Sequence, residues 1–239
     1  MSEILIQKLL RKTPSRENLV VVRAGSNSNH SLWTSGCEET RNWDLLVSYY
    51  EPAPNWQETI GEGCVLHQAN KLSALKVYWE QGWFQDYNYI WFPDPDLEIK
   101  GKDIDLLFAA MKLFDLSLAQ PSLTLDSYTS HSITKQVLGS VLRYTTFVEM
   151  MLPCFSKNAL DICAPSFDSN TFMWGIDHVW SKLLGYPDKK IAIIDQICVR
   201  HGTPVGSSYD IQHAYKEMFL TLARYNVSVR MDVLDTIYL

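Results

Sequence analysis

The chain has 239 residues, 46% of them hydrophobic, 20% charged and 12% aromatic. That length suits one sizeable α/β core and is short for two, so a single domain over residues 1–239 is expected. A formal charge of −6 argues against nucleic-acid binding through a broad basic surface, and no window of the sequence is apolar for long enough to span a membrane.

Met1 to Lys12 is apolar at helical spacing but short and charged for a signal peptide, and reads as an amphipathic segment packed on the body. Any membrane contact would be peripheral and made there. Leu19–Arg23 is the first predicted strand, running into the polar loop Ala24-Gly25-Ser26-Asn27-Ser28-Asn29-His30. A strand followed by a glycine-bearing loop is a usual edge of a nucleotide site. The loop carries neither G-x-G-x-x-G nor a P-loop, so a dinucleotide fold and a Walker-type site are unsupported. Asp44–Tyr50 is a second strand, closed by Pro52 and Pro54. Helical spacing over 70–81 leads into a third strand, Tyr89-Ile90-Trp91-Phe92, which ends in Pro93-Asp94-Pro95-Asp96.

Further predicted elements are an amphipathic helix over 102–114, an apolar segment over 146–155 that carries Glu149, and a short helix over 176–184. A strand over 191–195 continues to His201, and a helix follows over 211–225. Alternation of strand and helix in the first half predicts an α/β fold with a central, mostly parallel sheet covered on both faces. Cys37, Cys64, Cys154, Cys163 and Cys198 are odd in number and without a Cys-x-x-Cys pair. Neither a disulfide framework nor a zinc site is indicated, and reduced thiols suit a cytoplasmic location.

The residues that could carry chemistry begin with Asp94 and Asp96. Two carboxylates where a buried strand leaves the sheet offer hard oxygen ligands to Mg²⁺ or Mn²⁺, in the place where open α/β sheets bind ligands. Asp and Pro also build ordinary turns, and Pro95 removes a backbone donor and stiffens this one. Asp177 follows Trp174-Gly175-Ile176 at a helix start, where the helix dipole is expected to keep it ionised as a base; a plain N-cap is the competing reading. His201 is either a third metal ligand or a surface histidine. The stretch Gly202–Ser208 could close over a phosphate if His201 binds metal.

In order along the chain, Leu19–Ser28, Arg41–Tyr50, Phe92–Ile99, Leu118–Leu123, Ser127–His131, Arg143–Ser156, Trp174–Asp177 and His201–Val205 form a pattern. It resembles a glycosyltransferase-like family of the domain-of-unknown-function class, with a fold similar to the GT-A glycosyltransferases. The likeness covers about residues 18–206. It implies transfer of a sugar from a nucleotide-sugar donor, UDP-linked in preference, to a hydroxyl of a glycan or lipid-linked acceptor. It further implies Asp94, Asp96 and His201 at a Mn²⁺ or Mg²⁺ ion, with Asp94 also near the ribose or sugar. Arg23, Ala24 and Gly25 would meet the nucleotide, Tyr49 and Lys71 its base or phosphates, and Asp177 the acceptor as base. Glu149 is a second carboxylate candidate. Two other readings stand beside this one. A haloacid-dehalogenase-type phosphohydrolase would use Asp94 as nucleophile and Asp195 as a later metal ligand. A transferase-like scaffold would bind glycans or partners without catalysis.

Overall fold

The computed structural model describes residues 3–167, 171–204 and 210–239. Its first half runs β1 (Ile4–Lys8), β2 (Asn18–Ala24), α1 (His30–Thr34), β3 (Trp43–Tyr49), β4 (Gly63–His67), α2 (Lys71–Glu80), β5 (Tyr89–Trp91), β6 (Leu97–Glu98) and α3 (Gly101–Leu113). The second half runs β7 (Leu118–Leu123), β8 (Ser140–Thr145), β9 (Cys154–Ser156), α4 (Lys157–Cys163), α5 (Ile176–Leu183), β10 (Ile191–His201), α6 (Ile211–Tyr225) and β11 (Val233–Tyr238).

The strands make one 11-stranded sheet in the order β1-β4-β3-β2-β5-β9-β7-β10-β8-β11, with β6 attached to β10. Parallel pairing holds β4, β3, β2 and β5 together, and joins β7 to β10. The remaining pairs are antiparallel. The sheet is therefore mixed, which corrects the mostly parallel expectation. The parallel half is the part whose alternation was visible in the sequence, through β2, β3, α2, β5 and α3; β4 and α1 are additional to it. Strands β8 and β9 return without a crossover α-helix and pair antiparallel, and β11, after α6, pairs antiparallel with β8.

Alternation along the central strands divides the core. Val20, Val22 and Ala24 pack on one face with Trp33, Trp91 and the inner side of α3 (Ile104, Leu107, Phe108, Met111). Leu19 and Val21 point the other way, towards Leu72, Leu75 and Tyr78 of α2 and towards Leu160, Val179 and Trp180 of α4 and α5. Both faces are covered, as strands buried on both sides require. Asn70 opens α2 by accepting the Ser73 N–H at 2.8 Å, and Asp210 opens α6 by accepting the N–H groups of Gln212 and His213.

The N-terminal segment is not a helix. Ile4–Lys8 forms an edge strand antiparallel to β4, and most of its side chains are exposed. Its apolar residues satisfied helical spacing by coincidence; backbone pairing, not burial, holds the strand.

Candidate functional site

Strand order reverses beside β2: β3 and β4 lie on one side of it and β5 on the other. Such a switch point splays the loops leaving the carboxyl ends of the strands and opens a crevice between them. A cleft of about 1000 Å³ occupies that place. The parallel half supplies Arg23, Asn27, Tyr50, Lys71, Asp94 and Asp96; the antiparallel half supplies His131, Glu149, Asp177, His178 and His201.

Pairing of β6 with the end of β10 brings His201 to the aspartates. His201 stands opposite Leu97, so its imidazole meets the residue before it, with Nε2 3.3 Å from Asp96 Oδ2. Outside the cleft, Arg200 clamps the same register by bonding Glu98 at 2.7 Å and Asp126 at 2.9 Å. His201 Nδ1 lies 2.8 Å from the Tyr128 carbonyl, which can only accept, so Nδ1 carries the proton and Nε2 is turned to Asp96. The Asp96 hydrogen bond raises the His201 pKa. Burial would lift the carboxyl pKa of Asp96, but bonds from His201 and Thr203 bring it below the ordinary value.

Asp94 is held differently. Lys71, buried at the first turn of α2, bonds its carboxylate at 2.7 Å and the Met150 and Met151 carbonyls at 2.9 and 3.1 Å. Burial lowers the Lys71 pKa and raises that of Asp94, while their mutual contact opposes both shifts. The backbone of the Asp-Pro-Asp turn is tied down as well: Asp94 N–H donates to Met151 O at 2.8 Å, and Asn29 N–H to Pro95 O at 2.7 Å. The proline stiffens the turn and leaves its carbonyl in use.

Asp177 lies in the first turn of α5, behind Gly175, which occupies the N-cap position in a left-handed conformation at φ 88°. Its carboxylate accepts the His178 N–H at 3.0 Å. Burial raises its pKa, with His178, His131 and backbone N–H bonds opposing. Glu149 lines the same end of the cleft. Burial, with Asp177 and Asp94 adding to it, pushes its pKa up to about 8.

Arg23 lines the cleft from beneath. It donates to the carbonyls of His67 and Ala69, each at 2.7 Å, and to the Ser48 hydroxyl, so it ties the ends of β2, β3 and β4 together. Ala24 is buried in the core. A Cβ on Gly25 would run into the hydroxyl of Tyr50, so glycine is what lets that ring lie against the loop. Tyr49 does not reach the cleft: it shares a face with Leu45 and Val47, and its hydroxyl meets Thr59 at 2.6 Å. Tyr50 lines the cleft in its stead. Asp195 is fully buried, paired with Arg143 at 2.8 and 2.9 Å and bonded by the Val137 N–H, and is not among the cleft residues. The phosphohydrolase reading thereby loses its later metal ligand. From Val205 to Tyr209, the rest of the loop after His201 lies outside the described residues.

His131, His178, Tyr50 and Tyr215 are cleft residues that site reasoning from sequence missed. Period-two alternation on β3 could have separated Tyr50 from Tyr49. Nothing local marks the two histidines, whose rings are brought 6.3 Å apart by the loop that carries His131 and the first turn of α5.

No protein-family model matches the chain, and no curated protein matches its sequence. Solved structures do match its fold. Residues 1–349 of S. aureus TarS in complex with UDP align with a TM-score of 0.52 at 10% identity, covering 90% of this chain and 67% of that one. The same portion in complex with UDP-GlcNAc gives 0.50 at 10%, covering 90% and 68%. A longer S. aureus TarS chain gives 0.53 at 8%, and this chain spans 40% of it. The fold is α/β and GT-A-like; identities this low speak to fold alone. All five cysteines are free, and no helix among the described residues is long and apolar enough to cross a membrane.

Proposed function

We propose that this chain is a glycosyltransferase that moves a sugar from a UDP-sugar to a hydroxyl of a glycan or lipid-linked acceptor. The observation that carries the reading is the convergence of Asp96 and His201, from distant parts of the sequence, in a cleft at the switch point of a TarS-like fold. The solved TarS structures hold UDP and UDP-GlcNAc, which motivates the choice of donor.

The residues also fit a divalent cation, though not as the set of three first expected. Among the described residues no group of three or more His, Cys, Asp and Glu is arranged to hold a metal. Asp96 and His201 Nε2 would be its protein ligands, the remaining positions falling to phosphate oxygens and water, a pattern common for Mg²⁺ with nucleotides. Asp94, engaged by Lys71, is better placed to hold a hydroxyl of the ribose or sugar. When bound, the cation offsets charge on the diphosphate leaving group. Asp177, whose ionised form His178 and His131 favour against burial, accepts the proton of the acceptor hydroxyl. Trp174 and Tyr215, edge to face at 5.1 Å on the cleft wall, offer apolar faces to an acceptor ring.

Calorimetric titration with UDP, with and without Mn²⁺, tests this reading. Mn²⁺-dependent UDP binding that is lost in Asp96→Asn/His201→Ala is the expected result. No binding of UDP under either condition would refute it.

A further inference from the structure

Glu149 is the one acidic cleft residue whose carboxyl is both buried and left with an oxygen, Oε2, that no described group bonds. Its position is nonetheless firmly set. The Glu149 N–H donates to Gln120 Oε1 at 2.6 Å, and Lys71 grips the next two carbonyls. A side chain that lines the cleft on so fixed a backbone, with a carboxyl that no described group bonds at its buried Oε2, is built to meet something that enters.

Its neighbours say what enters. Asp94 and Asp177 are the carboxylates that act on it electrostatically, one on the side of the Asp-Pro-Asp turn and the other at the acceptor end. Lys71 and His201 oppose them but are already engaged by Asp94 and Asp96, so the group is a poor partner for phosphate. It suits a neutral hydroxyl, because a carboxyl kept protonated by burial both donates and accepts. Between the end that would take the diphosphate and the base at the acceptor lies the sugar in transit.

We infer that Glu149 is a specificity-determining residue that hydrogen-bonds a hydroxyl of the transferred sugar through its carboxyl. The inference rests on the proposed function and gives the uncharged carboxyl a role distinct from that of Asp177.

The test compares UDP and UDP-GlcNAc binding in the wild type, Glu149→Ala and Glu149→Gln, by calorimetry with Mn²⁺. Loss of one hydrogen bond predicts that Glu149→Ala binds UDP-GlcNAc about tenfold more weakly with UDP affinity held within about twofold. Glu149→Gln, which keeps one donor and one acceptor at that site, recovers most of the loss. Retained UDP binding also shows that the variant is folded. Equal weakening of both ligands, no weakening of either, or a Gln variant as weak as Ala would each overturn the inference. Failure of the wild type to bind either ligand would instead overturn the proposed function, and the inference with it.

Discussion

Replacing Glu149 by Gln should stabilise the protein when no metal or nucleotide is bound. The carboxyl is buried and held protonated up to about pH 8, against 4.5 for the unperturbed group. Below pH 4.5 both the folded and the unfolded chain keep the proton, and the residue does not affect the balance. Between 4.5 and 8 the unfolded chain releases a proton that the folded chain retains, so stability falls as pH rises; above 8 the loss is constant. At pH 7 the interval already crossed corresponds to roughly 3 kcal/mol at about 1.4 kcal/mol per pH unit. Gln puts a neutral group of the same shape in the same place and removes that dependence. In a domain of this size 1 kcal/mol moves the melting temperature by about 2–4 °C, which sets a ceiling of about 12 °C on the gain. Thermal melts of both proteins in chelator from pH 5 to 8 provide the assay. The wild type should lose melting temperature over this range and the variant should lose less; Asp94 and Asp177, whose pKa values are also raised, keep some slope in both. Parallel pH profiles, or a variant less stable at pH 8, would refute the reasoning.

Three further substitutions separate scaffold from site. Asp195→Asn strands the buried Arg143 guanidinium and should lower stability by about 3 kcal/mol in urea melts, with UDP affinity unchanged in the folded fraction. Lys71→Met removes three hydrogen bonds and the partner of Asp94; a loss of about 2 kcal/mol together with weakened UDP binding is expected in the same two assays. Gly25→Ala pushes the Tyr50 ring into the cleft, and because that ring is partly exposed and can turn, UDP affinity should fall by tenfold or more with a stability loss under about 1 kcal/mol. A Gly25→Ala protein that binds UDP normally would show that Tyr50 has room to move elsewhere.

In the parallel half β2, β3 and β5 were legible because each is a run of apolar residues bounded by turn chemistry, as with Leu19–Val22; the short β4 (Gly63–His67) and α1 (His30–Thr34) were not. Helix 211–225 was legible to the residue because Asp210 caps its start and Asn226, left-handed at φ 50°, ends it. Strands held mainly by pairing were not: β1 and β11 expose most of their side chains and bear no burial pattern to read. The site divided along the same line. Asp94, Asp96 and His201 were visible because each stands at the end of a buried run, but the device that joins two of them is a two-residue strand, β6, too short to announce itself. The burial of Asp177 was hidden for a different reason. Position at a helix start can be read locally, whereas the burial that raises its pKa is supplied from elsewhere in the chain and cannot.

Charge in the cleft bears on why a cation belongs to the proposed reaction. Asp94, Asp96, Glu149 and Asp177 line it against Arg23 and Lys71. Those two cations are committed, Lys71 to Asp94 and two carbonyls, and Arg23 to two carbonyls and a hydroxyl. Counting Glu149 as neutral still leaves three carboxylates, and the cations facing them, Arg23, Lys71 and a protonated His201, are all occupied, a poor setting for a diphosphate on its own. Among the lining groups, the pair with charge to exchange is Asp96 and His201: a protonated imidazole bonded to a carboxylate is what a metal would replace by taking Asp96 and the unprotonated Nε2 together. Metal uptake should then release a proton from His201, and UDP binding should strengthen as pH rises through the raised pKa of that histidine. Calorimetry of Mn²⁺ binding in buffers of different ionisation enthalpy reads that proton directly, and a proton count unchanged by His201→Ala would break the link between the imidazole and the ion.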